Sequence, residues 1–220
     1  MTLPVPAPPA FVFLDFDGVI MDSMELKLES YCHAFAGMGF ARDAIRKSQL
    51  EVAGLSRLKT VPLMYAALAG KAMTAELCAE ALARFNAHDE DSRGKMRLKE
   101  GASGFLEDAK ARGIGCAIVT GTPQEVIDRT IAHFDLGKYF RRVCGSPPGK
   151  AEHLHAMVRE FGLHAAECLY VGDAIKDQEA ALAVGMPFAG VDNGDDPFRA
   201  EGLSVKVDGL GNLAPCLIPS

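Results

Sequence analysis

Short apolar runs alternate with amphipathic stretches along most of the chain. The first run, residues 10–16 (AFVFLDF), is rich in Phe and leads into Gly18, which favours a buried strand over a helix. Similar runs follow at residues 115–121, 139–145, 167–173 and 186–192, and helical patterns lie between them at residues 101–112, 123–135, 150–161 and 174–185. Strands that alternate with helices form right-handed βαβ units. We therefore predict an α/β fold, with a Rossmann-like parallel sheet core flanked by helices.

The alternation fails between residues 22 and 99, where only helical patterns occur. Apolar residues recur near helix spacing in residues 23–38, 60–68 and 74–85, and Thr74 is a plausible N-cap. A connection between a strand and the next helix is usually only a few residues long. We therefore predict an all-α domain in residues 22–99, inserted into a core domain made of residues 1–21 and 100–220.

Composition and charge narrow the class of protein. Hydrophobic residues make up 49% of the chain and charged residues 24%, which is typical of a soluble globular protein. The net charge is −6 with no basic block, so we expect no nucleic-acid polymer as partner. No apolar run approaches the roughly 18 residues of a membrane span.

The cysteines and residues 1–10 indicate in which cellular compartment we expect the protein. The six cysteines include no C-x-x-C pair, which favours reduced, mostly buried thiols over a disulfide framework. Residues 1–10 contain four prolines and no basic segment, unlike a secretory signal. We therefore expect a cytoplasmic protein.

Polar residues gather where the predicted strands end. They are Asp15 and Asp17 at the end of the first strand, Thr120, Gly121 and Thr122 at the end of the second, Lys150 at the start of a helix, and Asp173 and Asp177 at the end of the fourth strand and just beyond it. In an open parallel sheet, ligands bind at the carboxyl ends of the strands. One edge of the sheet is therefore expected to collect four carboxylates, two hydroxyls and a lysine.

These residue types suit phosphoryl chemistry. Clustered carboxylates repel one another, and a hard divalent cation such as Mg²⁺ compensates them. A bound cation with a lysine and a hydroxyl nearby can receive a phosphoryl group, and a carboxylate can act as its nucleophile. Each motif alone has a simpler explanation as a turn, a helix cap or a solvated helix start. Their joint occurrence at one sheet edge favours a functional site over these simpler explanations.

Four segments carry a resemblance to a known family. FVFLDFDGVIMDS, AIVTGT, GSPPGK and LYVGDAIKD resemble the four motifs of the haloacid dehalogenase superfamily. The likeness covers residues 10–23 and 100–192, and it is to the phosphoglycolate phosphatase-like branch. That branch carries a helical cap between its first and second motifs, and the helical residues 22–99 fit this place.

The resemblance implies a role for each acidic residue. Asp15 would be the nucleophile that forms an aspartyl-phosphate. Asp17 would act first as general acid on the leaving oxygen and then as the base that activates water. Mg²⁺ would be held by Asp15, the backbone carbonyl of Asp17, and Asp173. Asp177 would orient a metal-bound water or the lysine of the third motif.

The resemblance also assigns the remaining motif residues. Thr120 and the amide of Gly121 would hold the phosphoryl oxygens, with Thr122 beside them, and Lys150 would steady the nucleophile. Two positions depart from the family pattern. Ala151 stands where proline usually follows the lysine, and Gly172 stands where an additional acid can occur.

The inserted helical segment is expected to select the substrate. Residues 54–57 resemble the cap loop that enters the active site in these phosphatases. Arg57 could clamp a substrate carboxylate or second phosphate, and Lys27 and Lys59 are further candidates. The alternative is that all three are solvated surface charges.

The favoured hypothesis is a Mg²⁺-dependent phosphatase of a small phosphorylated metabolite, present as a monomer or homodimer. One alternative is a phosphosugar mutase, although Lys27 stands where mutase relatives have a cap histidine. The other is a non-catalytic phospho-ligand-binding protein. Asp17 argues against dehalogenase or phosphonate chemistry, since relatives with those activities lack this aspartate.

Overall fold

The computed structural model of the chain describes residues 3–217. Its strands are β1 (Phe11–Leu14), β2 (Met21–Asp22), β3 (Arg97–Leu98), β4 (Gly115–Pro123), β5 (Arg142–Ser146), β6 (Cys168–Gly172), β7 (Phe188–Val191) and β8 (Val205–Val207). Its α-helices are α1 (Met24–Ala34), α2 (Arg42–Glu51), α3 (Arg57–Ala69), α4 (Ala75–Ser92), α5 (Ala102–Ala111), α6 (Gln124–His133), α7 (Lys150–Glu160) and α8 (Ile175–Val184). The chain divides into two compact units, a core unit of Met1–Asp22 with Leu98–Ser220, and a helical unit of Ser23–Arg97.

The core unit is built on a parallel six-stranded sheet with the order β5-β4-β1-β6-β7-β8. In its register, Phe13 on β1 lies opposite Ala117 on β4 and Tyr170 on β6. The chain passes from β1 to β4 and β5 on one side, then returns to β6 on the other. The strand order therefore reverses at β1, and such a reversal opens a ligand crevice at the carboxyl ends of the strands. The α/β class predicted from the sequence is confirmed.

Burial explains why β1 is a continuous apolar run. All four residues of β1 are buried, because the strand is central and helices pack on the sheet. Phe11 and Phe13 pack with Leu154 and Met157 of α7 in one hydrophobic cluster. Fully burying a side chain such as Phe13 stabilises the fold by about 1.5–3 kcal/mol, so β1 is a firm base for the residues that follow it.

The helical unit contains α1–α4 around a hydrophobic cluster of its own. Leu28, Phe35, Met64 and Phe85 are among its buried members. Thr74 caps α4 as predicted, because its Oγ1 accepts a hydrogen bond from the backbone N–H of Leu77 at 3.3 Å.

The helical pattern of the sequence misses one element. Helix α2 has no clear signal, since Arg42–Glu51 has few apolar residues and buries Ser48 and Gln49 along with Ile45. Helix α4 also extends beyond the predicted residues 74–85 to Ser92, through a polar stretch without apolar periodicity.

Two further observations concern the whole described chain. The thiols of Cys32, Cys78, Cys116, Cys144 and Cys168 are free, and the side chain of Cys216 lies outside the described residues. Burial raises the pKa of Cys116 to about 12. Among the described residues, no helix has the length and apolar character needed to cross a membrane.

Candidate active site

Asp15 lies directly beyond β1, at the edge where the strand order reverses. Its backbone N–H donates to the carbonyl of Val171 at 2.8 Å, which continues the ladder between β1 and β6. Its Oδ1 accepts from the backbone N–H of Phe16 at 2.7 Å, and the residue is 4% exposed. The carboxylate of Asp15 is therefore held at the end of a buried central strand.

The turn after β1 requires a glycine. Gly18 has φ +73°, a left-handed conformation that L side chains rarely adopt. A Cβ at this position would also overlap the Asp173 carboxylate and approach the Asn193 amide. The turn can thus bring its backbone against the end of β6 only when residue 18 has no side chain.

Lys150 joins three elements of the core unit. It is the first residue of α7, and its Nζ donates to Asp15 Oδ2 at 2.7 Å and to Asp177 Oδ1 at 2.5 Å. The side chain is buried, at 8% exposure for the residue. Burial alone would lower the pKa of Lys150, but the two carboxylates raise it above its usual value. Lys150 is therefore a fixed positive charge beside Asp15.

Asp177 is the most constrained carboxylate of the site. Its Oδ2 accepts from the backbone N–H of Ala174 at 3.1 Å, at the start of α8. Burial raises the pKa of Asp177 to about 6, against the lowering effect of Lys150. A Cβ at Gly172 would overlap the Asp177 side chain, which explains why a glycine stands at that position.

Tyr170 contacts Asp177 from inside the core, and no motif in the sequence points to it. The hydroxyl of this fully buried residue lies 2.6 Å from Asp177 Oδ1 and 3.1 Å from the carbonyl oxygen of Val119. Burial, followed by the charge of Asp177, raises the pKa of Tyr170 well above its usual value. The only signal in the sequence is a hydroxyl inside an apolar run, since a buried tyrosine hydroxyl needs a polar partner.

Asp173 completes a group of carboxylates that could hold a metal ion. One oxygen from each of Asp15, Asp173 and Asp177 lies within 4.8 Å of the others. Burial raises the pKa of Asp173 well above its usual value, and the charges of the other two carboxylates raise it further. Within residues 3–217, the ammonium in contact with these carboxylates is that of Lys150, so three carboxylates share one positive charge. An oxygen-rich site with such a charge balance fits a hard divalent cation.

The Asp17 side chain contacts the end of β4. Its Oδ2 accepts from the hydroxyl of Thr122 at 2.8 Å, and the Thr120 hydroxyl accepts from the backbone N–H of Thr122 at 3.3 Å. The Ser146 hydroxyl donates to the carbonyl of Gly121 at 2.9 Å. The Thr-Gly-Thr segment is thus tied both to the turn after β1 and to the end of β5.

The structure therefore brings eight predicted site residues of the core unit to one sheet edge. They are Asp15, Asp17, Thr120, Gly121, Thr122, Lys150, Asp173 and Asp177. It adds Asn193, on the loop after β7, whose Nδ2 donates to Asp173 Oδ2 at 3.0 Å. No motif in the sequence points to Asn193, because its partners lie far from it along the chain.

The candidates from the helical unit have different surroundings. Arg57 is only 6% exposed; its guanidinium forms an ion pair with Asp89 at 2.9 Å, donates to Asn86 Oδ1 at 2.9 Å, and lies 4.4 Å from the Phe85 ring centroid. The alternative that Arg57 is a solvated surface charge is wrong. Lys59 is exposed on α3, and Lys27 is half-buried on α1.

Comparisons with known proteins identify the family of the chain. The family model of haloacid dehalogenase-like hydrolases matches residues 12–191. Phosphoglycolate phosphatase 1 of Pseudomonas aeruginosa is 25% identical over 217 residues, which cover 94% of this chain and 79% of the relative. A phosphoglycolate phosphatase of Pectobacterium atrosepticum is 28% identical over 207 residues, covering 84% of this chain and 87% of the relative.

A solved structure supports the fold. The crystal structure of a predicted phosphoglycolate phosphatase from Haemophilus somnus superposes with a TM-score of 0.80 at 19% identity, covering 94% of this chain and 96% of that one. The matched region of the family model runs from β1 to β7 and includes all eight residues gathered at the sheet edge. The chain belongs to the haloacid dehalogenase-like hydrolase family.

Proposed function

We propose that the protein is a Mg²⁺-dependent phosphatase that hydrolyses a small phosphomonoester through a phospho-aspartate at Asp15. One observation carries the proposal. The buried ammonium of Lys150 lies between Asp15 and Asp177, with Asp173 beside them, in the crevice where the strand order reverses. This arrangement supports the roles that the family resemblance implies.

The metal site would use Asp15, Asp173 and the backbone carbonyl of Asp17. A bound Mg²⁺ would supply Lewis-acid polarisation of the phosphoryl oxygens and offset the charge on the nucleophile. Asp177 is a weaker candidate ligand, because Lys150, Tyr170 and the N–H of Ala174 already contact its two oxygens. Its proposed role is to hold Lys150 against Asp15.

In the first half-reaction, a carboxylate oxygen of Asp15 attacks phosphorus, and the bond from phosphorus to the ester oxygen breaks. Asp17 donates a proton to the leaving oxygen, which departs as an alcohol. The Thr122 hydroxyl, 2.8 Å from Asp17 Oδ2, would hold the acid in place. Lys150 would balance the charge that builds on the phosphoryl oxygens.

In the second half-reaction, Asp17 takes a proton from a water molecule as the water oxygen attacks phosphorus. The bond between Asp15 and phosphorus breaks, which releases inorganic phosphate and regenerates the carboxylate. Thr120 and the backbone N–H of Gly121 would hold the phosphoryl oxygens throughout. Asp17 thus ends each turnover in its starting protonation state.

The relatives guide the choice of substrate. Both of the curated relatives described above carry the name phosphoglycolate phosphatase, so 2-phosphoglycolate is the first compound to test. The helical unit, residues Ser23–Arg97, would serve as a cap that sets the preference for the leaving group.

The test measures phosphate release from a panel of phosphomonoesters, headed by 2-phosphoglycolate, with Mg²⁺ and with chelator. Asp15→Asn is the key variant, and Asp108→Asn makes the same chemical change at an exposed position of α5. We expect metal-dependent release from the wild type and from Asp108→Asn, and none from Asp15→Asn. Equal release from Asp15→Asn would exclude Asp15 as the nucleophile. Isomerised sugar phosphate without free phosphate would favour a mutase instead.

A further inference from the structure

Asn193 connects three parts of the sheet edge that are distant in sequence. Its Nδ2 donates to the Gly18 carbonyl at 3.2 Å and to Asp173 Oδ2 at 3.0 Å. Its Oδ1 accepts from the ammonium of Lys99, which follows β3. The amide is therefore held from both ends, although the residue itself is exposed.

The contact with Lys99 decides how the amide is oriented. An ammonium only donates hydrogen bonds, so it selects the carbonyl end of the amide and leaves the NH₂ end facing Asp173. Lys99 is fixed in turn, because its backbone N–H donates to the Ile20 carbonyl at 2.9 Å. The turn after β1 thus supplies both an acceptor for Asn193 and the anchor of Lys99.

The loop that carries Asn193 is also ordered by its neighbours. The backbone N–H of Asp192 donates to Val207 on β8 at 2.8 Å, and its Oδ1 accepts from the N–H of Gly194 at 2.8 Å. Lys206 on β8 forms an ion pair with the other oxygen of Asp192 at 3.2 Å. Asn193 therefore lies in a turn after β7 that hydrogen bonds and an ion pair of Asp192 hold in place.

We propose that Asn193, oriented by Lys99, is a positioning residue that holds the Asp173 carboxylate ready for the divalent cation. This inference rests on the proposed function only in taking Asp173 as a metal ligand. Some residues do not bind the metal but donate a hydrogen bond to, or accept one from, a residue that does. Removing such a hydrogen bond typically lowers metal affinity about 10–100-fold. Asn193 acts here through Asp173 and has no direct part in the chemistry.

The test compares Asn193→Ala with Asn212→Ala, which makes the same change at an exposed position near the C-terminus of the core unit. Calorimetric titration with Mg²⁺ alone reports metal affinity without any turnover. We expect Asn193→Ala to bind Mg²⁺ about 10-fold more weakly than the wild type, and Asn212→Ala to be unchanged. Lys99→Met should weaken binding in the same direction but less, because the amide keeps its donor and loses only its orientation.

Kinetics separate positioning from substrate contact. For Asn193→Ala, the Mg²⁺ concentration for half-maximal phosphate release should rise, while kcat at saturating Mg²⁺ and KM for the substrate stay near wild type. A raised KM that excess Mg²⁺ does not correct would overturn the inference and make Asn193 a substrate contact. Unchanged Mg²⁺ affinity in both Asn193→Ala and Lys99→Met would overturn it as well.

The outcome is distinguishable from failure of the proposed function. If the wild type binds Mg²⁺ and Asn193→Ala binds it more weakly, the inference holds even when no compound releases phosphate. If phosphate release is Mg²⁺-dependent and Asn193→Ala matches the wild type in affinity, the function holds and the inference fails. A wild type that binds no Mg²⁺ overturns the inference directly.

Discussion

Lys150→Met removes the ammonium that pairs with Asp15 and Asp177 while keeping a side chain of similar length. The structure places that ammonium 2.7 Å from Asp15 and 2.5 Å from Asp177, with all three side chains buried. Removing one partner of a buried ion pair costs about 3–5 kcal/mol, because the other charge stays buried without compensation. Two carboxylates lose their partner here, so we expect the free energy of unfolding to fall by about 4 kcal/mol at pH 8 in chelator.

The pH dependence of this loss provides a second, independent check. Without Lys150, the pKa of Asp177 should rise further above the value of about 6 that it has in the native chain. A carboxyl whose pKa is higher in the folded than in the unfolded protein binds extra protons on folding, so its stability penalty is relieved as pH falls. The difference between wild type and variant should therefore shrink between pH 8 and pH 5.

Urea unfolding followed by circular dichroism measures both quantities. Lys138→Met is the matched control, since Lys138 forms an exposed ion pair with Asp135 and exposed pairs contribute little to stability. A loss below about 1 kcal/mol for Lys150→Met at pH 8 would refute the argument from buried charge. So would a loss that stays constant from pH 8 to pH 5.

Three further predictions follow from contacts outside the Lys150 ammonium. Tyr170→Phe removes the buried hydroxyl that contacts Asp177, and it should lower kcat more than it changes KM. If Tyr170→Phe had the same effect in an Asp177→Asn background, the two residues would not be coupled and the prediction would be wrong. Arg57→Ala should destabilise the helical unit by about 2–4 kcal/mol in urea unfolding, while a folded variant with only a raised KM would support a substrate contact instead. The pKa of His88 is lowered by burial and by the charge of His33, whose ring stacks on it. The free energy of unfolding should therefore fall as pH drops below about 6.5, and His88→Gln should flatten this decline in thermal unfolding scans.

The core unit is largely predictable from the sequence because its signals are local. A central parallel strand is buried on both faces, so β1 and β6 appear as continuous apolar runs in the sequence. The residues that follow such strands must lie at one edge of the sheet, and this rule alone predicts that Asp15 and Asp173 lie close together.

The residues that the sequence does not reveal depend on contacts between distant parts of the chain. In the sequence, Tyr170 resembles any aromatic core residue. Only the packing of α8 against β6 brings its hydroxyl to Asp177. Asn193 sits in a polar turn, and its importance appears only when Gly18 and Asp173 are seen around it. Neither residue type nor spacing distinguishes such residues from ordinary core or loop positions.

Arg57 in the helical unit also shows that the sequence does not reveal the partner of a charged residue. Arg57 is a reasonable candidate for a substrate clamp because a guanidinium is well suited to bind a carboxylate. A guanidinium binds a carboxylate of the protein itself equally well, and Asp89 on α4 supplies one. A charged residue type therefore predicts that a partner exists but not which one, and the partner is decided by packing. In the core unit, strand topology restricts the possible partners of Lys150 to one sheet edge, whereas the helices around Arg57 impose no comparable restriction. This is why the contacts of the core residues can be predicted from the sequence more readily than those of the helical unit.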